Sequence, residues 1–468
     1  MAHVNKAIAA AVCAASIGAG AVGVPDTAAD DLGARSPVFD AGASLRVRQE
    51  LIRGAPQAVN GVLGRPGSER GKTKNQMRFR PSFWMELRER EGRWRIYGRV
   101  TDEFRAGLVQ KTRSQTFPGE LVIDNLFIEA KEVAGIFDIR AGRQDLYRLY
   151  GLDHIFVDGT PGDGSCSTYA NMVNIGFATG EDSRLDLFAL YNADREELRW
   201  GTKRSRRLPK TGFGRGECEM DDWGAGAVWS SKLRDAELNV FWMRKETLSF
   251  HRDGAKHPRR RIHLFGAKFV PKPSDEISLP LEAMGQVGRD GDGNTLAAYA
   301  AYSGIGWKAK ARPGEFRPFA GAGVLWLSGD KNATKEDGGR HAWDPMWYRG
   351  VDDGEMFLYG SLYGCGWWSN LVNAKLRAGV EIGPHHAAGI VTGPMFAAAD
   401  DGVGGGGGLF RGFFTQARYD FPLWIADKEN GGRFEMFGHL LAELFNPGDY
   451  YATDKPAWFL RWQVEMKF

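Results

Sequence analysis

The chain ends on WFLRWQVEMKF, residues 458–468. Leu460, Trp462, Val464, Met466 and Phe468 take every second position, and Arg461, Gln463, Glu465 and Lys467 fill the gaps. Side chains of an extended strand point alternately to opposite faces, so this segment has one apolar face and one charged face. A soluble sandwich would lay the apolar face on a core. A membrane barrel would lay it on lipid and turn the charged face to a wet lumen. The strand alone fits both.

The same alternation recurs upstream, in ASLRVRQELI (43–52), MRFRPSFWMELRER (77–90), RWRIYGRVTDEFR (93–105) and ELVIDNLFIEAK (120–131). Further segments fall at 134–144, 167–178, 184–194, 221–231, 236–247, 259–271, 276–288, 294–311, 316–328, 368–382, 386–398, 409–420, 432–444 and 456–468. The sum is about eighteen strands, mostly of ~10–15 residues, longer than soluble strands and suited to tilted membrane spans. The links alternate in length. Short ones occur at 91–92, 132–133, 180–183, 232–235, 272–275, 312–315 and 383–386, with long ones at 53–76, 145–166, 195–220 and 329–367 between them. Sorting of this kind is what a single antiparallel up-and-down transmembrane β-barrel needs, with short periplasmic turns at one rim and long extracellular loops at the other. Two links break the rule: 289–293 is short where a long loop is due, and 421–431 is long where a turn is due. GVGGGGG (402–408) reads as a flexible outer loop.

Composition narrows the function classes. Among 468 residues, 61 Lys and Arg against 58 Asp and Glu leave a net charge of +3, which gives no reason to expect nucleic-acid binding. The 15 Trp residues suit interfacial belts, although a secreted carbohydrate-binding β-protein would share them. Residues 1–29, with Lys6 before a small and apolar run, read as a signal peptide, leaving 30–468 as the barrel in the outer membrane of a Gram-negative-type cell. Cys166, Cys218 and Cys365 remain after it, and pairing of the first two or free loop thiols are both open. No G-x-S-x-G elbow, H-E-x-x-H pair or phosphate-binding glycine loop occurs, so no catalytic function and no cofactor is expected. His154, His251 and His341 read as loop histidines, and GRDGDGN (288–294) lacks the distal Glu of a calcium loop, so no metal is expected.

With the apolar parity assigned to lipid, the other parity lists the pore lining. It comprises Arg46, Arg48 and Glu50; Arg78, Arg80, Trp84, Glu86 and Arg88; then Arg95, Tyr97, Arg99, Glu103 and Arg105. Glu129, Lys375, Arg377, Arg418, Glu443 and Arg461 share the inward parity of their strands. The first three strands thus set arginines side by side on one wall, where they are expected to face water. Arginine binds a carboxylate through two parallel hydrogen bonds, so such a wall favours anions, while interleaved carboxylates keep the guanidinium groups extended. The same residues also read as the structural salt bridges of any barrel lumen. The basic runs KRSRRLPK (203–210) and KHPRRR (256–261) are expected to meet lipopolysaccharide phosphates or solvent.

Several segments resemble the alginate export porins: AGRQDLYRLYG (141–151), VDGTPGDGS (157–165), LEAMGQVG (281–288), VLWLSGD (324–330), WDPMW (343–347) and HLLAELFNPGDYY (439–451), in that order. The resemblance spans most of the chain after the leader. It implies an eighteen-stranded, monomeric outer-membrane barrel that passes an anionic polysaccharide, oligouronate or related solute by passive diffusion, with the inward arginines as pore positions. It also implies a structural role for Asp330, Asp344 and Pro345 in the seventh outer loop, and recognition of the terminal Phe468 by the barrel assembly machinery. A general porin without a specific substrate is the alternative. The chain departs from the family in its modest final turn, 421–432.

Overall fold

A computed structural model describes residues 37–54, 73–108, 117–144, 154–155, 169–192, 199–201, 222–248, 250–252, 255–257, 259–289, 294–310, 316–331, 339–347, 369–383, 385–402, 404–427, 433–452 and 454–468. Eighteen antiparallel strands run through them. They are β1 (Val38–Arg53), β2 (Lys74–Arg88), β3 (Trp94–Thr101 continued by Phe104–Gly107), β4 (Glu120–Val133), β5 (Phe137–Gln144) and β6 (Ala170–Gly180). Next come β7 (Ser183–Asn192), β8 (Asp222–Leu233), β9 (Ala236–Thr247), β10 (Arg260–Pro271), β11 (Ile277–Ser278 continued by Leu281–Arg289) and β12 (Thr295–Lys308). The last are β13 (Phe316–Leu327), β14 (Leu371–Ile382), β15 (His386–Phe396), β16 (Phe410–Asp427), β17 (Arg433–Pro447) and β18 (Ala457–Lys467). Each pairs with the next, and β18 pairs with β1 from Ser44↔Lys467 to Arg53↔Trp458, which closes the sheet. The amide of Phe468 donates to the Ala43 carbonyl at 2.9 Å, so the closing ladder reaches the last residue. Closure leaves no strand edge to satisfy, the condition for a sheet to stand in hydrocarbon.

The two faces are inverted relative to a soluble protein. Outward, Phe83, Phe265, Val287 and Leu440 are each at least half exposed, while inward Arg48 and Glu50 are fully buried. A continuous exposed apolar surface of this kind is a liability in water and a match for lipid. Short turns join the strands at one rim. In the first, Gly92 takes φ 74° and its amide donates to Glu89 O at 2.9 Å, a conformation that a side chain would strain.

The inner face is not uniform. On β8–β13 the inward residues are largely apolar, including Val228, Phe241, Met243, Ile262, Leu264, Met284, Leu296, Leu325 and Leu327, all buried. On β1–β4 and β18 they are largely charged. The inner face is therefore mainly charged on one side of the barrel and mainly apolar on the other, where Lys245, Lys268, Glu282 and Gln286 are among the polar exceptions.

Three expectations about links are corrected or explained. The long link at 421–431 is not a turn: β16 continues to Asp427, and the connection shortens to 428–432. A register shift between Pro422 and Trp424 resets the parity, so the alternation lapses there. The glycine run 402–408 is not merely a flexible tether. Gly406 N donates to Tyr450 O at 3.0 Å, and a Cβ at Gly404 or Gly406 would lie within 2.1 Å of the backbone carbonyls of Tyr450 or Asp449. The glycines allow two outer loops to lie backbone to backbone. The short link between β11 and β12 stands as expected. The leader, the three later cysteines and the run 203–210 lie outside the described residues.

Candidate functional site

The arginines of the first strands do share one wall. Cross-strand register sets Arg46 opposite Arg80 and Arg48 opposite Arg78, with Arg105 opposite Arg78 on the other side. The row Arg48–Arg78–Arg105 thus crosses β1, β2 and β3 at one level. Their environment differs from the expectation. Arg46, Arg48, Arg78, Arg80 and Arg461 are buried rather than open to water. Glu50, itself without exposed surface, is the centre: Arg48 Nε lies 2.9 Å away, Arg78 Nη1 3.0 Å and Arg461 Nη2 3.4 Å, and Gln76 Nε2 donates at 2.8 Å. Glu103 ties a second set, receiving Arg78 Nε at 3.1 Å with Arg46 at 3.8 Å. Arg99 donates to buried Asp124 at 2.8 Å, assisted by Thr101. Arg105 is partly exposed and has no ion pair among the described residues.

Nearer the short-turn rim, charges alternate along a line across β1–β5. Arg88 bridges Asp40 (3.0 Å) and Glu86 (3.3 Å), Arg95 bridges Glu86 and Glu129 (3.2 Å each), and Arg140 closes on Glu129. Beneath this line lie the rings of Trp84, Tyr97 and Phe127, with centroids 6.3 and 5.3 Å apart and planes within 30°. Gly42 explains the pose of Trp84. A Cβ there would stand 2.7–2.8 Å from three indole atoms, so the indole packs directly over the glycine and needs it.

Two outer loops turn inward. In the loop between β5 and β6, Ile155 is fully buried and its amide donates to Glu282 of β11 at 3.0 Å, while the His154 ring stacks on Tyr302 of β12 at 3.7 Å. Glu282 and Tyr302 both face inward, so His154 and Ile155 lie against a wall six strands from β5 and β6. Burial, then the nearby charges of Lys375, Arg377 and Lys268, lower the His154 pKa to about 3. The imidazole is neutral at ordinary pH in a cationic setting. In the loop between β13 and β14, Trp343, Met346 and Trp347 cover the apolar patch of β8–β11. Asp344 anchors them: Arg260 pairs with its carboxylate, its own amide and carbonyl bond Gln286 at 2.9 and 2.6 Å, and Lys245 Nζ donates to Met346 O at 2.7 Å. Burial raises the Asp344 pKa, but Arg260 and Lys245 outweigh it and hold the carboxyl below its ordinary value. Trp347 fits only because Gly224 lacks a Cβ, which would stand 2.3 Å from the indole.

The other expected lining residues are dispersed. Lys375 is buried and Arg377 exposed, both on β14, and Arg377 has no ion pair among the described residues. Arg418 on β16 forks onto Asp420 at 2.7 Å through two nitrogens, and buried Glu443 accepts from Gln416 at 3.1 Å. Parity reading missed Arg140, Lys245, Lys268 and Tyr302, and placed Arg259–Arg261 at the surface as a basic run. Arg260 instead turns inward to Asp344, while Arg259 and Arg261 pair with Glu246. His154, read as a loop histidine, belongs to a loop that enters the lumen. No periodic signal marks loop residues that fold back into a barrel.

No family model matches the chain, and no curated protein matches it. Solved structures do. The outer membrane protein opdK from Pseudomonas aeruginosa aligns with a TM-score of 0.51 at 10% identity over 92% of this chain and 98% of that one. The fold is that of an outer-membrane porin. Pseudomonas aeruginosa OccK3 (OpdO) follows at 0.49 and 11% identity, over 92% and 96%, and Acinetobacter baumannii OccAB2 at 0.48 and 10%, over 92% and 98%. The apolar exterior, the closed sheet and this likeness make the chain an outer-membrane barrel.

Proposed function

We propose that the protein is a passive, non-catalytic outer-membrane channel for anionic solutes, with anionic saccharides and sugar acids as the favoured class. The observation that carries this is the Arg48–Arg78–Arg105 row beside the Arg46–Arg80 pair. Like charges directly opposite on neighbouring strands destabilise a sheet. Glu50 and Glu103 offset part of that cost for the buried members, and the half-buried Arg105, which has no ion pair among the described residues, carries the excess charge that a permeating anion would meet. Lys268, Lys375 and Arg377 around His154 add positive potential on the inner face. The half-buried Trp84 and Tyr97 rings beside Arg88, Arg95 and Glu86 support a sugar ring as part of the cargo, while Phe127 is buried beneath Arg95 and Arg140. The resemblance to alginate export porins points to the same class.

A general porin is the second reading, favoured by Glu50 and Glu103, which engage several of the arginines as buried salt bridges. Single-channel recording in a planar bilayer separates the two. Anion-preferring current that oligouronates block at submillimolar concentration supports the first reading, and weakly selective, unblocked current supports the second.

A further inference from the structure

The outward face of β8–β12 carries a second cationic cluster that the pore does not use. Cross-strand register defines its rows from the long-loop rim downward. The top row is Trp223, Glu246, Arg261, Arg289 and Thr295, and the next contains Arg244, His263 and Val287. Below them come the exposed Phe265 and Tyr299, with Trp242 between Ala227 and Phe265. Rows on one face are about 7 Å apart along a strand, so the guanidinium groups stand one to two rows above the aromatic girdle. In an outer-membrane barrel that level is the headgroup layer of the outer leaflet.

The cluster is organised. Glu246, without exposed surface, holds Arg244 at 2.7 Å and Arg261 at 3.6 Å and pairs with Arg259, and Arg244 also lies 4.8 Å over the Trp223 ring. Arg289 lies directly opposite Arg261, is exposed, and has no ion pair among the described residues. Four arginines against one carboxylate leave a local charge of about +3 on a lipid-facing rim, and the Arg261–Arg289 contact is a cost to the sheet. A few strands round the barrel, on β14–β16, the same edge presents Val372, Phe396 and Phe413. The charge is therefore local to one sector.

We propose that this sector binds the phosphates of an outer-leaflet glycolipid of the lipopolysaccharide type, with Arg244, Arg259, Arg261 and Arg289 holding the anion and the Trp242, Phe265 and Tyr299 row meeting the acyl chains. Guanidinium groups suit phosphate through paired charge-assisted hydrogen bonds, and fixing them around Glu246 reduces the ordering needed on binding. The proposal rests on the outer-membrane location and is independent of what the pore conducts.

The test uses the full-length barrel in neutral detergent, following the temperature at which it loses its folded gel mobility. Bis-phosphorylated lipid A should raise that temperature. In R261Q/R289Q, and in R289Q alone should the double variant fold poorly, the half-saturating lipid A concentration should rise by about tenfold per guanidinium removed, with channel conductance unchanged. Equal half-saturation in the variants would overturn the proposal. So would equal stabilisation by dephosphorylated lipid A or by inorganic pyrophosphate alone.

Discussion

Glu50 is the residue on which the arginine wall depends. Three arginines and Gln76 converge on it from β1, β2 and β18, so removing its charge leaves cations facing one another in a buried setting. Glu50→Gln is expected to cost about 3–5 kcal/mol of barrel stability, read as a fall in the urea midpoint, whereas Arg105→Ser should leave the midpoint unchanged. His154 gives a second prediction at this scale. Its docked pKa is about 3 against about 6.5 for a free histidine, so the undocked loop takes up the proton more readily. Docking is at full strength above about pH 6.5 and weakens as the pH falls toward 3, because the buried charged ring would face Lys375, Arg377 and Lys268. Single-channel conductance should therefore change between pH 7 and pH 4, and H154F should remove that change. An identical pH response in the variant would disprove the loop assignment.

The strands themselves are written plainly in the sequence, the inner loops are not. Alternation such as Leu460 to Phe468 records two solvents directly, and the eighteen periodic segments coincide with the eighteen strands to within a few residues for most of the chain. The reading failed where another constraint competed. At Leu423 a bulge broke the period, and on β8–β13 apolar residues on both faces hid which one meets lipid. WDPMW (343–347) was visible as a motif, but its docking depends on Gly224, Arg260, Lys245 and Gln286 from four other strands, a contact no local pattern encodes. Asp344→Ala should free this segment. The expected result is a wider channel with larger conductance and a lower gel-shift temperature, since Arg260 loses its buried partner; unchanged conductance would mean that the segment does not border the pore.

At the scale of the molecule the barrel divides into a packed side and a charged side. Apolar β8–β13, covered by Trp343, Met346 and Trp347, reads as a core placed inside a barrel. The charged side, from Lys375 and Arg377 through Arg418 and Arg461 to the β1–β5 wall, is left as the lane for solutes. Its cations outnumber the carboxylates that tie them, and Arg105 and Arg377 are the two best placed to meet a passing ion without holding the fold. The measurement that bears most directly on this account is the reversal potential of single channels in a planar bilayer under a potassium chloride gradient. Wild-type channels should reverse on the chloride side of zero, and Arg105→Ser with Arg377→Ser should move the value toward potassium while the urea midpoint stays put. A wild-type channel that prefers potassium, or a double variant with an unmoved reversal potential, would contradict the account.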